Sequence, residues 1–467
     1  MSASIPIPYR LGRWLLRAAL GFYFARIERF HRERVPRTGP VLFTSNHPNS
    51  VTDAFVIGTS VSRKVNFVAT VQLFRLAPLR WLLTRCGVIP INRVKDDPRA
   101  MRTVMGTFEA CFRVLEKGEA IGIFPEGITH DDPQLKTVKT GAARMALELE
   151  HRHGGRLGLQ IVPVGLTFSA KERYRSEVLV NFGEPIHVAG FLAGYPEQKR
   201  ECLHTLTTEI ERRIESLILH LPKLERARII AAVKRLYLER LLVGNRVIHE
   251  PVPSKAGELM LTQAIANAVD FTYEHHPDRA TVFTQKLDHY ERWLKRLNLS
   301  DEELAHFPDK TQLIWHSLAW TLLGVALLPI ALFGWLHRLL PILLVHWAIK
   351  HFAQLSVNKT RVSTTGILAG FVSFGVFYGV YIAVVHALFG LPASLWYALS
   401  LPVASLVAHY YLRELRRFYV SMRCAFVLVR APAAARRLLA LRNELIAEIE
   451  AARWQVPTEV LTHERKG

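Results

Sequence analysis

Two stretches of this chain, residues 313–332 and 364–389, contain no charged side chain over 20 and 26 consecutive positions. A helix needs about 20 mainly apolar residues to cross the hydrocarbon core of a bilayer, so each stretch is long enough to span one. Two further uncharged stretches, 339–349 and 391–412, follow the first two after links of only a few residues. Buried core helices of a soluble protein are the alternative, but they do not require charge-free runs of this length. We therefore expect a transmembrane region over 313–412, with two helical hairpins and two to four spans.

The charge balance indicates an anionic partner. The chain holds 60 Lys and Arg against 40 Asp and Glu, which gives a formal net charge of +20. Such an excess attracts a phosphorylated metabolite, a membrane surface or nucleic acid. Residues 411–442 alone carry eight Arg against one Glu, and positive charge beside a span marks the cytoplasmic side. We therefore expect an integral membrane protein with a cytoplasmic catalytic domain, in a bacterial inner membrane or in the endoplasmic reticulum of a eukaryote.

The N-terminal segment has a second membrane signal. Residues 1–40 carry eight Arg and two Glu, interleaved with apolar side chains such as Trp14 and Phe22. This pattern is typical of a basic amphipathic helix that lies on anionic lipid. An ordinary solvated helix packed on the core is the alternative. We expect residues 1–40 to form an interfacial helix.

Short apolar runs alternate with helical patterns between residues 41 and 195. The strand-like runs are 41–44, 65–70, 120–124, 160–168 and 178–182, and the helix-like runs are 53–60, 79–86, 100–116 and 141–151. Alternation of this kind predicts an α/β domain with a mixed sheet flanked by helices. The polar motifs described below fall near the ends of the strands, where α/β folds place their ligands.

The remaining segments are helical in pattern. Residues 196–312 are charged and periodic, which predicts a helical connector before the transmembrane region. Within it, Ser300 and Glu303 have the spacing of a capping box that opens a helix. Residues 413–467 predict a basic cytoplasmic helical tail. The expected segments are therefore 1–40, 41–195, 196–312, 313–412 and 413–467.

The motif with the clearest chemistry is His-Pro-Asn-Ser-Val-Thr-Asp at residues 47–53. An apolar run delivers His47 to a turn, and Asp53 follows within what is expected to be the first turn of a helix. A carboxylate beside a histidine fixes its tautomer and stabilises the imidazolium that forms when the ring accepts a proton. The sequence offers no Ser or Cys nucleophile that completes an obvious triad. His47 is therefore expected to deprotonate the substrate itself.

Three further blocks follow this motif in order. They are Gly-Val-Ile-Pro-Ile-Asn-Arg at 87–93, Ile-Phe-Pro-Glu-Gly-Ile-Thr-His at 123–130 and Ile-Val-Pro-Val-Gly-Leu at 161–166. Together the four blocks resemble those of the glycerolipid acyltransferase family, which contains the glycerol-3-phosphate and lysophosphatidate acyltransferases. Lys-Thr-Gly-Ala-Ala-Arg-Met-Ala-Leu at 139–147 looks like the branch that acylates glycerol 3-phosphate or dihydroxyacetone phosphate.

The resemblance implies an acyltransferase-type fold and a reaction. In that reaction a fatty acyl group moves from acyl-CoA, or acyl carrier protein, to a hydroxyl of the phosphorylated glycerol-type acceptor in phospholipid synthesis. The thioester is a co-substrate and no cofactor is expected. The family usually places four residues between the His and the Asp, whereas this chain has five. The Pro-Asn-Ser turn can absorb the extra residue if His47 lies in the loop before the helix.

The resemblance also implies roles for single residues. His47 and Asp53 are the expected catalytic residues. Arg93 is expected to bind the acceptor phosphate, because a guanidinium can hold phosphate through two bonds. Glu126 and Gly127 are implied to help bind the acceptor, with the carboxylate accepting hydrogen bonds from its hydroxyls. The other expected substrate-binding residues are Lys139, Arg144, Asn46 and Asn49.

Two alternatives stay open. Lysophosphatidate or another lysolipid is an alternative acceptor. A membrane-associated protein that binds anionic lipid or nucleic acid is an alternative of another class, but it does not explain the order of the four blocks, and nucleic acid is not expected as a partner. No metal site is expected, because His130-Asp131-Asp132 lacks a spaced second histidine and the four cysteines form no Cys-x-x-Cys pair. The sequence does not predict the oligomeric state.

Overall fold

The structure is a computed structural model that describes residues 6–74, 77–91, 101–130, 132–221, 223–244, 255–305, 310–353, 361–453 and 455–457. The chain divides into two compact units. The first consists of Met1–Pro222, Ser254–Leu259 and Ile349–Ile367, and the second of Lys223–Pro253, Met260–Ala348 and Leu368–Gly467. Each unit is described by itself below.

One sheet organises the first unit. Its strands are β1 Arg26–Phe30, β2 Val41–Ser45, β3 Val65–Thr70, β4 Ile89–Ile91, β5 Ala120–Ile123, β6 Gln160–Phe168, β7 Glu177–Phe182 and β8 Ile186–His187. Their order is β1-β7-β6-β2-β5-β3-β4, and β8 pairs with β6. The pairings of this described sheet are parallel except those of β6 with β7 and with β8. The sheet is therefore mixed, as the sequence predicts.

The central strands are apolar along most of their length because both faces of the sheet are covered. All five residues of β2 are buried, and so are six of the nine residues of β6. Such continuous apolar runs are typical of strands that are buried on both faces. β2 lies between β5 and β6. Its carboxyl end at Ser45 therefore lies among the ends of the central strands, away from the edge strands. The His47 motif follows directly from that end.

Helices cover the two faces of the sheet. The first unit contains α1 Ile7–Tyr23, α2 Val51–Ser60, α3 Ala77–Arg85, α4 Met101–Glu116, α5 Gly141–Arg152 and α6 Lys199–Glu215. One hydrophobic core contains Leu42 of β2 together with residues of α4, α5 and α6, and the other contains Val41 and Phe43 of β2 together with residues of α1 and α2. Successive side chains of a strand point to opposite faces, so β2 contributes to both cores.

Residues 1–40, which the sequence predicts as one interfacial helix, adopt two kinds of structure. α1 ends at Tyr23, and Arg26–Phe30 forms the edge strand β1. β1 pairs in parallel with β7, which lies about 150 residues later in the chain. The sequence prediction therefore extends the helix too far, because a short edge strand with two arginines and a glutamate has no apolar pattern to reveal it.

Two arginines of α1, Arg13 and Arg17, bond to backbone carbonyls of the protein. Arg13 donates a 2.9 Å hydrogen bond to the carbonyl of Ser62, and Arg17 donates bonds of 3.1 and 2.9 Å to the carbonyl of Thr59. These carbonyls lie at the C-terminal end of α2, where backbone acceptors have no partner within the helix. The exposed side chains of α1 include five large apolar ones, which are Ile7, Leu11, Trp14, Leu15 and Phe22.

The later helices are α7 Ala227–Gly244, α8 Lys255–His275, α9 Pro277–Leu297, α10 Asp301–Ala305, α11 Lys310–Ala348, α12 Val362–Arg430 and α13 Pro432–Arg453. Within the second unit, α13 packs on α7 and α9, and the ion pair between Lys286 and Glu448 joins α9 to α13. The predicted capping box is confirmed at the start of α10. The hydroxyl of Ser300 accepts the N–H of Glu303 at 3.3 Å, and the Glu303 carboxylate accepts the N–H of Ser300 at 3.0 Å.

Two helical stretches within the described residues, Leu322–Ala353 and Val362–Cys424, are long and apolar enough to cross a membrane by length and composition. Only 22% and 11% of their most apolar windows are buried inside the protein. A core helix of a soluble protein would bury most of such a window, because exposed apolar area of this size is costly in water. The two stretches are therefore candidate membrane spans.

The sequence predicts hairpin links at residues 333–338 and 390–392. The first is wrong, because α11 runs through residues 333–338 without a break. Gly334 there allows close packing rather than a turn: a Cβ at this position would lie 2.0 Å from the carbonyl oxygen of Ala404. Arg338 is buried and donates a hydrogen bond to the carbonyl of Ser405 at 3.4 Å. In the second expected link, α12 is interrupted at Gly390, where φ is 78° and ψ is −178°. The number of spans stays a prediction.

Candidate active site

His47 and Asp53 lie side by side at the carboxyl end of β2. Nδ1 of His47 is 2.9 Å from Oδ2 of Asp53. His47 lies in the loop before α2, and Asp53 lies in the first turn of that helix. Ser50 between them has a φ of 54° and a ψ of −135°, a backbone conformation that non-glycine residues seldom adopt. This bend absorbs the extra residue of the motif and returns the carboxylate to the imidazole.

Asp53 is buried and is held from two directions. Its Oδ2 atom also accepts the backbone N–H of Asn49 at 2.7 Å. Burial raises the pKa of Asp53 above its ordinary value, while the bonds from His47 and from the N–H of Asn49 act in the opposite direction. An ionised Asp53 therefore depends on its partners, and it holds the proton of the neutral His47 ring on Nδ1.

The other ring nitrogen of His47 is left for a substrate. The ring stacks on Phe124 with a centroid distance of 3.9 Å and an angle of 11° between the planes. The side chain of His47 is 15% exposed, whereas that of Asp53 is fully buried. No residue in the described part of the chain forms a hydrogen bond with Nε2 of His47. The imidazole is therefore fixed in orientation, with Nε2 as its open acceptor.

Glu126 joins three separate parts of the loop region. Its Oε1 atom accepts the backbone N–H of His47 at 2.9 Å. Its Oε2 atom accepts the backbone N–H of Lys136 at 3.0 Å and lies 2.5 Å from Nε2 of His130. The side chain is buried. Glu126 thus holds the backbone of the histidine, and its expected bond to an acceptor hydroxyl stays a prediction.

Gly127 and Lys139 come together beside Glu126. Gly127 has a φ of 67°, which disfavours any side chain there, and a Cβ at this position would lie 2.6 Å from Nζ of Lys139. The ammonium group of Lys139 therefore lies directly over the turn after β5. Arg144 lies one turn into α5 and is exposed. Arg93, the expected phosphate ligand, lies outside the described residues.

The two asparagines of the motif differ in their surroundings. Asn46 bonds to the backbone of Leu166 in both directions, donating at 3.0 Å and accepting at 2.8 Å, and so ties the loop to β6. Asn49 is fully buried, and no described residue forms a hydrogen bond with its Nδ2 or Oδ1 atom. A buried amide without partners costs free energy, and the expected role of Asn49 in substrate binding stays a prediction.

Sequence reasoning missed two residues of this region. His130, which the sequence suggests is part of a polar loop, pairs with Glu126 and is mostly buried. Lys171, which belongs to no motif, donates to the carbonyls of Pro48 at 3.0 Å and of His130 at 3.3 Å. The position of His130 four residues after Glu126 was a usable signal, whereas nothing in the sequence marks Lys171. Among the described residues no group of three or more His, Cys, Asp or Glu could hold a metal ion.

The chain is similar to known acyltransferases. Residues 26–167, which carry β1 to β6, match the family model described as Acyltransferase. Over 324 residues the chain is 23% identical to glycerol-3-phosphate O-acyltransferase 1 of Saccharomyces cerevisiae, covering 51% of this chain and 43% of that protein. Over 132 residues it is 33% identical to glycerol-3-phosphate O-acyltransferase 2 of the same yeast, covering 28% of this chain and 18% of that protein.

Bacterial proteins are also similar. A 1-acyl-sn-glycerol-3-phosphate acyltransferase of Borreliella burgdorferi is 26% identical over 156 residues, covering 33% of this chain and 56% of that protein. The crystal structure of the 1-acyl-sn-glycerophosphate acyltransferase PlsC from Thermotoga maritima matches with a TM-score of 0.32 at 18% identity, covering 45% of this chain and 83% of that one. This chain thus spans less than half the length of each yeast relative.

Proposed function

We propose that this chain, which belongs to the glycerolipid acyltransferase family through residues 26–167, transfers a fatty acyl group from acyl-CoA or acyl carrier protein to a hydroxyl of glycerol 3-phosphate or dihydroxyacetone phosphate. The observation that carries the proposal is the contact between Nδ1 of His47 and the buried carboxylate of Asp53. It leaves Nε2 of an oriented imidazole to accept a proton, and an alcohol needs such a base to become a nucleophile.

The reaction follows from that arrangement. Nε2 of His47 takes the proton of the acceptor hydroxyl while the oxygen attacks the thioester carbonyl. Asp53 stabilises the imidazolium that results. The tetrahedral intermediate then expels the thiolate, which takes the proton from the imidazolium and leaves as a thiol. Because a thiolate is a good leaving group, with a pKa of about 8–9, the step needs little acid assistance and one base is sufficient.

Further residues are proposed to bind the acceptor. The ammonium group of Lys139 and the guanidinium groups of Arg93 and Arg144 provide positive charge for the acceptor phosphate. The amide of Asn49 is a candidate donor to the developing oxyanion, because it is buried close to His47 and no described residue bonds to it. In this proposal Glu126 acts on His47 first, since its oxygens accept bonds from the backbone of two loops.

The membrane is the proposed site of action. The apolar stretches Leu322–Ala353 and Val362–Cys424 would anchor the chain, and the Arg-rich stretch after them favours a cytoplasmic catalytic domain. The exposed apolar side chains of α1 would add an interfacial contact. An acylated product that forms at the interface can enter the leaflet without crossing water.

The curated relatives act on two kinds of acceptor, so a lysophosphatidate acceptor is the second candidate function. An assay decides between them: full-length protein in lipid nanodiscs is given palmitoyl-CoA with glycerol 3-phosphate, dihydroxyacetone phosphate or lysophosphatidate, and thiol release and acylated product are measured. We expect turnover with one of the first two acceptors. Turnover with lysophosphatidate alone favours the second candidate. Salt-sensitive binding of nucleic acid with no thiol release would contradict both.

A further inference from the structure

The helix that carries Asp53 is capped by a residue from a distant part of the chain. The residue before α2, Ser50, makes no side-chain capping hydrogen bond. The hydroxyl oxygen of Thr364 takes that place: it accepts the backbone N–H of Thr52 at 3.3 Å and lies 2.8 Å from the hydroxyl oxygen of Thr52. The two threonines are 312 positions apart in the sequence. Thr364 lies in the first turn of α12, within the stretch Ile349–Ile367 that belongs to the first unit.

The contact between Thr364 and Thr52 lies at the first turn of α2, and this turn positions Asp53 against His47. The first N–H groups of a helix have no partner inside the helix, and a hydroxyl that accepts one of them fixes the start of the helix. Thr52 immediately precedes Asp53, whose carboxylate must remain within 2.9 Å of His47. Ser50, two positions earlier, already has a strained backbone with a φ of 54°. A helix start that has a strained backbone and no capping side chain of its own needs a contact from elsewhere in the chain to keep one conformation.

The stretch Ile349–Ile367 is also connected to the loop that carries His47. The hydroxyl of Ser363, which is fully buried, donates to the carbonyl of Lys171. The ammonium group of Lys171 in turn donates to the carbonyl of Pro48 at 3.0 Å. Ile367, one turn further along α12, belongs to the hydrophobic core that contains Phe43. The loop of His47 and the helix of Asp53 are therefore both connected to a single stretch of α12.

We propose that Thr364 is a positioning residue for the catalytic pair: its hydroxyl caps α2 from the start of an apolar helix and so keeps Asp53 within bonding distance of His47. The kinetic part of this inference rests on the proposed function, whereas the capping itself does not. If Thr364 only filled space, valine would replace it without loss, since the two side chains have nearly the same shape.

The first measurement needs no enzyme activity. Full-length protein in nanodiscs is compared with Thr364→Val, Thr364→Ser and the matched control Thr365→Val by hydrogen–deuterium exchange of the backbone amide of Thr52. We expect the amide to exchange roughly five- to tenfold faster in Thr364→Val, the size of effect that loss of an N-cap produces. Thr364→Ser keeps the hydroxyl and should protect the amide, and Thr365→Val should match the wild type. Equal protection in all four proteins would overturn the proposal.

The second measurement is kinetic. Thr364→Val should lower kcat by about tenfold, with both KM values within about twofold of the wild type, and Thr364→Ser should recover most of kcat. In an Asp53→Asn background, Thr364→Val should cause no further loss, because the group that it positions is already disabled. An equal loss in that background would indicate a purely structural role and contradict the proposal. If the wild type transfers no acyl group while Thr52 still loses protection in Thr364→Val, the proposed function fails and the cap stands.

If Thr364→Val does not fold, Thr52→Val removes the partner hydroxyl and takes its place in the kinetic comparison. It leaves the N–H to Thr364 intact, so we expect a smaller loss of kcat than tenfold and no change in KM. A folded Thr52→Val with raised KM and unchanged kcat would contradict the positioning role.

Discussion

The backbone N–H of His47 donates a 2.9 Å hydrogen bond to Oε1 of Glu126. The ring of the same residue is held 2.9 Å from Asp53. His47 is therefore fixed at both its backbone and its side chain, each time by a buried carboxylate. Glu126 lies in the loop after β5, the strand beside β2, so neighbouring strand ends supply the two sides of the site.

Glu126→Gln should lower kcat rather than weaken acceptor binding. The amide group of glutamine would face at least one of the two N–H donors that the carboxylate now accepts, and the loop would lose its geometry. We expect kcat to fall by about 10- to 100-fold, since a hydrogen bond to a charged group contributes about 1.5–3 kcal/mol, with the acceptor KM nearly unchanged. Steady-state kinetics measure this, with the exposed Glu184→Gln as control. A raised acceptor KM at normal kcat would support the hydroxyl-binding role instead.

His47→Ala should abolish acyl transfer in a protein that still folds. General base catalysis contributes roughly 10²–10⁴ in rate, so the loss should be at least a hundredfold. Thiol release from palmitoyl-CoA with the preferred acceptor measures it, and His187→Ala, an exposed histidine at the end of β8, is the matched control. Normal turnover in folded His47→Ala would remove this residue from the mechanism.

Asp53→Asn should be less active yet more stable at neutral pH. Burial raises the pKa of Asp53 in the folded protein above the pKa that it has in the unfolded chain. The protonated carboxyl group therefore stabilises the folded state, and this contribution is complete only below the pKa of Asp53 in the unfolded chain. That contribution is lost as the pH rises through the raised pKa. Asparagine is neutral at every pH. We expect a higher Tm for the variant at pH 8 and a difference that vanishes as the pH falls towards 4. A variant that is less stable at pH 8 would show that partner bonds outweigh burial.

The exposed face of α1 should contact lipid. Because Arg13 and Arg17 bond to the carbonyl groups of α2, contact with lipid depends on apolar side chains more than on charge. A nitroxide label on Trp14→Cys in nanodiscs should collide more with oxygen than with a water-soluble nickel complex. A label on Arg37→Cys, in an exposed loop before β2, should show the reverse. The collision rates at position 14 should survive high salt, whereas a charge-driven contact would weaken.

The membrane topology of the apolar helices can be determined by cysteine labelling in sealed vesicles. Burial raises the pKa of Cys111 to about 12, so this native thiol stays silent at neutral pH. We expect Arg361→Cys to react from the cytoplasmic side and Phe389→Cys, beside the interruption at Gly390, to react from the opposite side. Labelling of both positions from one side would contradict a crossing between them and indicate re-entrant or interfacial helices.

Local pattern was enough to predict the centre of the fold. β2 and β6 are continuous apolar runs, and the strand bounds predicted at 160–168 coincide with those of β6. The pairing of His47 with Asp53 is predicted by the motif together with the three blocks that follow it, whose combination resembles a known family. Burial on both faces of a sheet leaves an unambiguous signal.

Features that depend on distant partners could not be predicted. β1 is polar because it is an edge strand, and its structure comes from β7. Arg338 lies in a predicted link between two spans, but it is buried in a continuous helix and donates its hydrogen bond to a carbonyl 67 positions later. Neither the sequence around Thr364 nor the sequence around Thr52 contains a pattern that indicates the capping contact between them. In each case the missing information is which surfaces pack together, and the periodicity of apolar residues in the sequence does not give it.

The stretch Ile349–Ile367 belongs to the first unit although the rest of that unit is almost complete by Pro222. During translation, the ribosome must therefore add well over a hundred further residues before the last part of the first unit emerges. Those residues include α11, which is apolar enough to enter a bilayer. A chain synthesised only as far as α11 therefore holds His47 and Asp53 but lacks the contacts that Thr364 and Ser363 make with Thr52 and Lys171. Those contacts can form only after α11 and the start of α12 have left the ribosome.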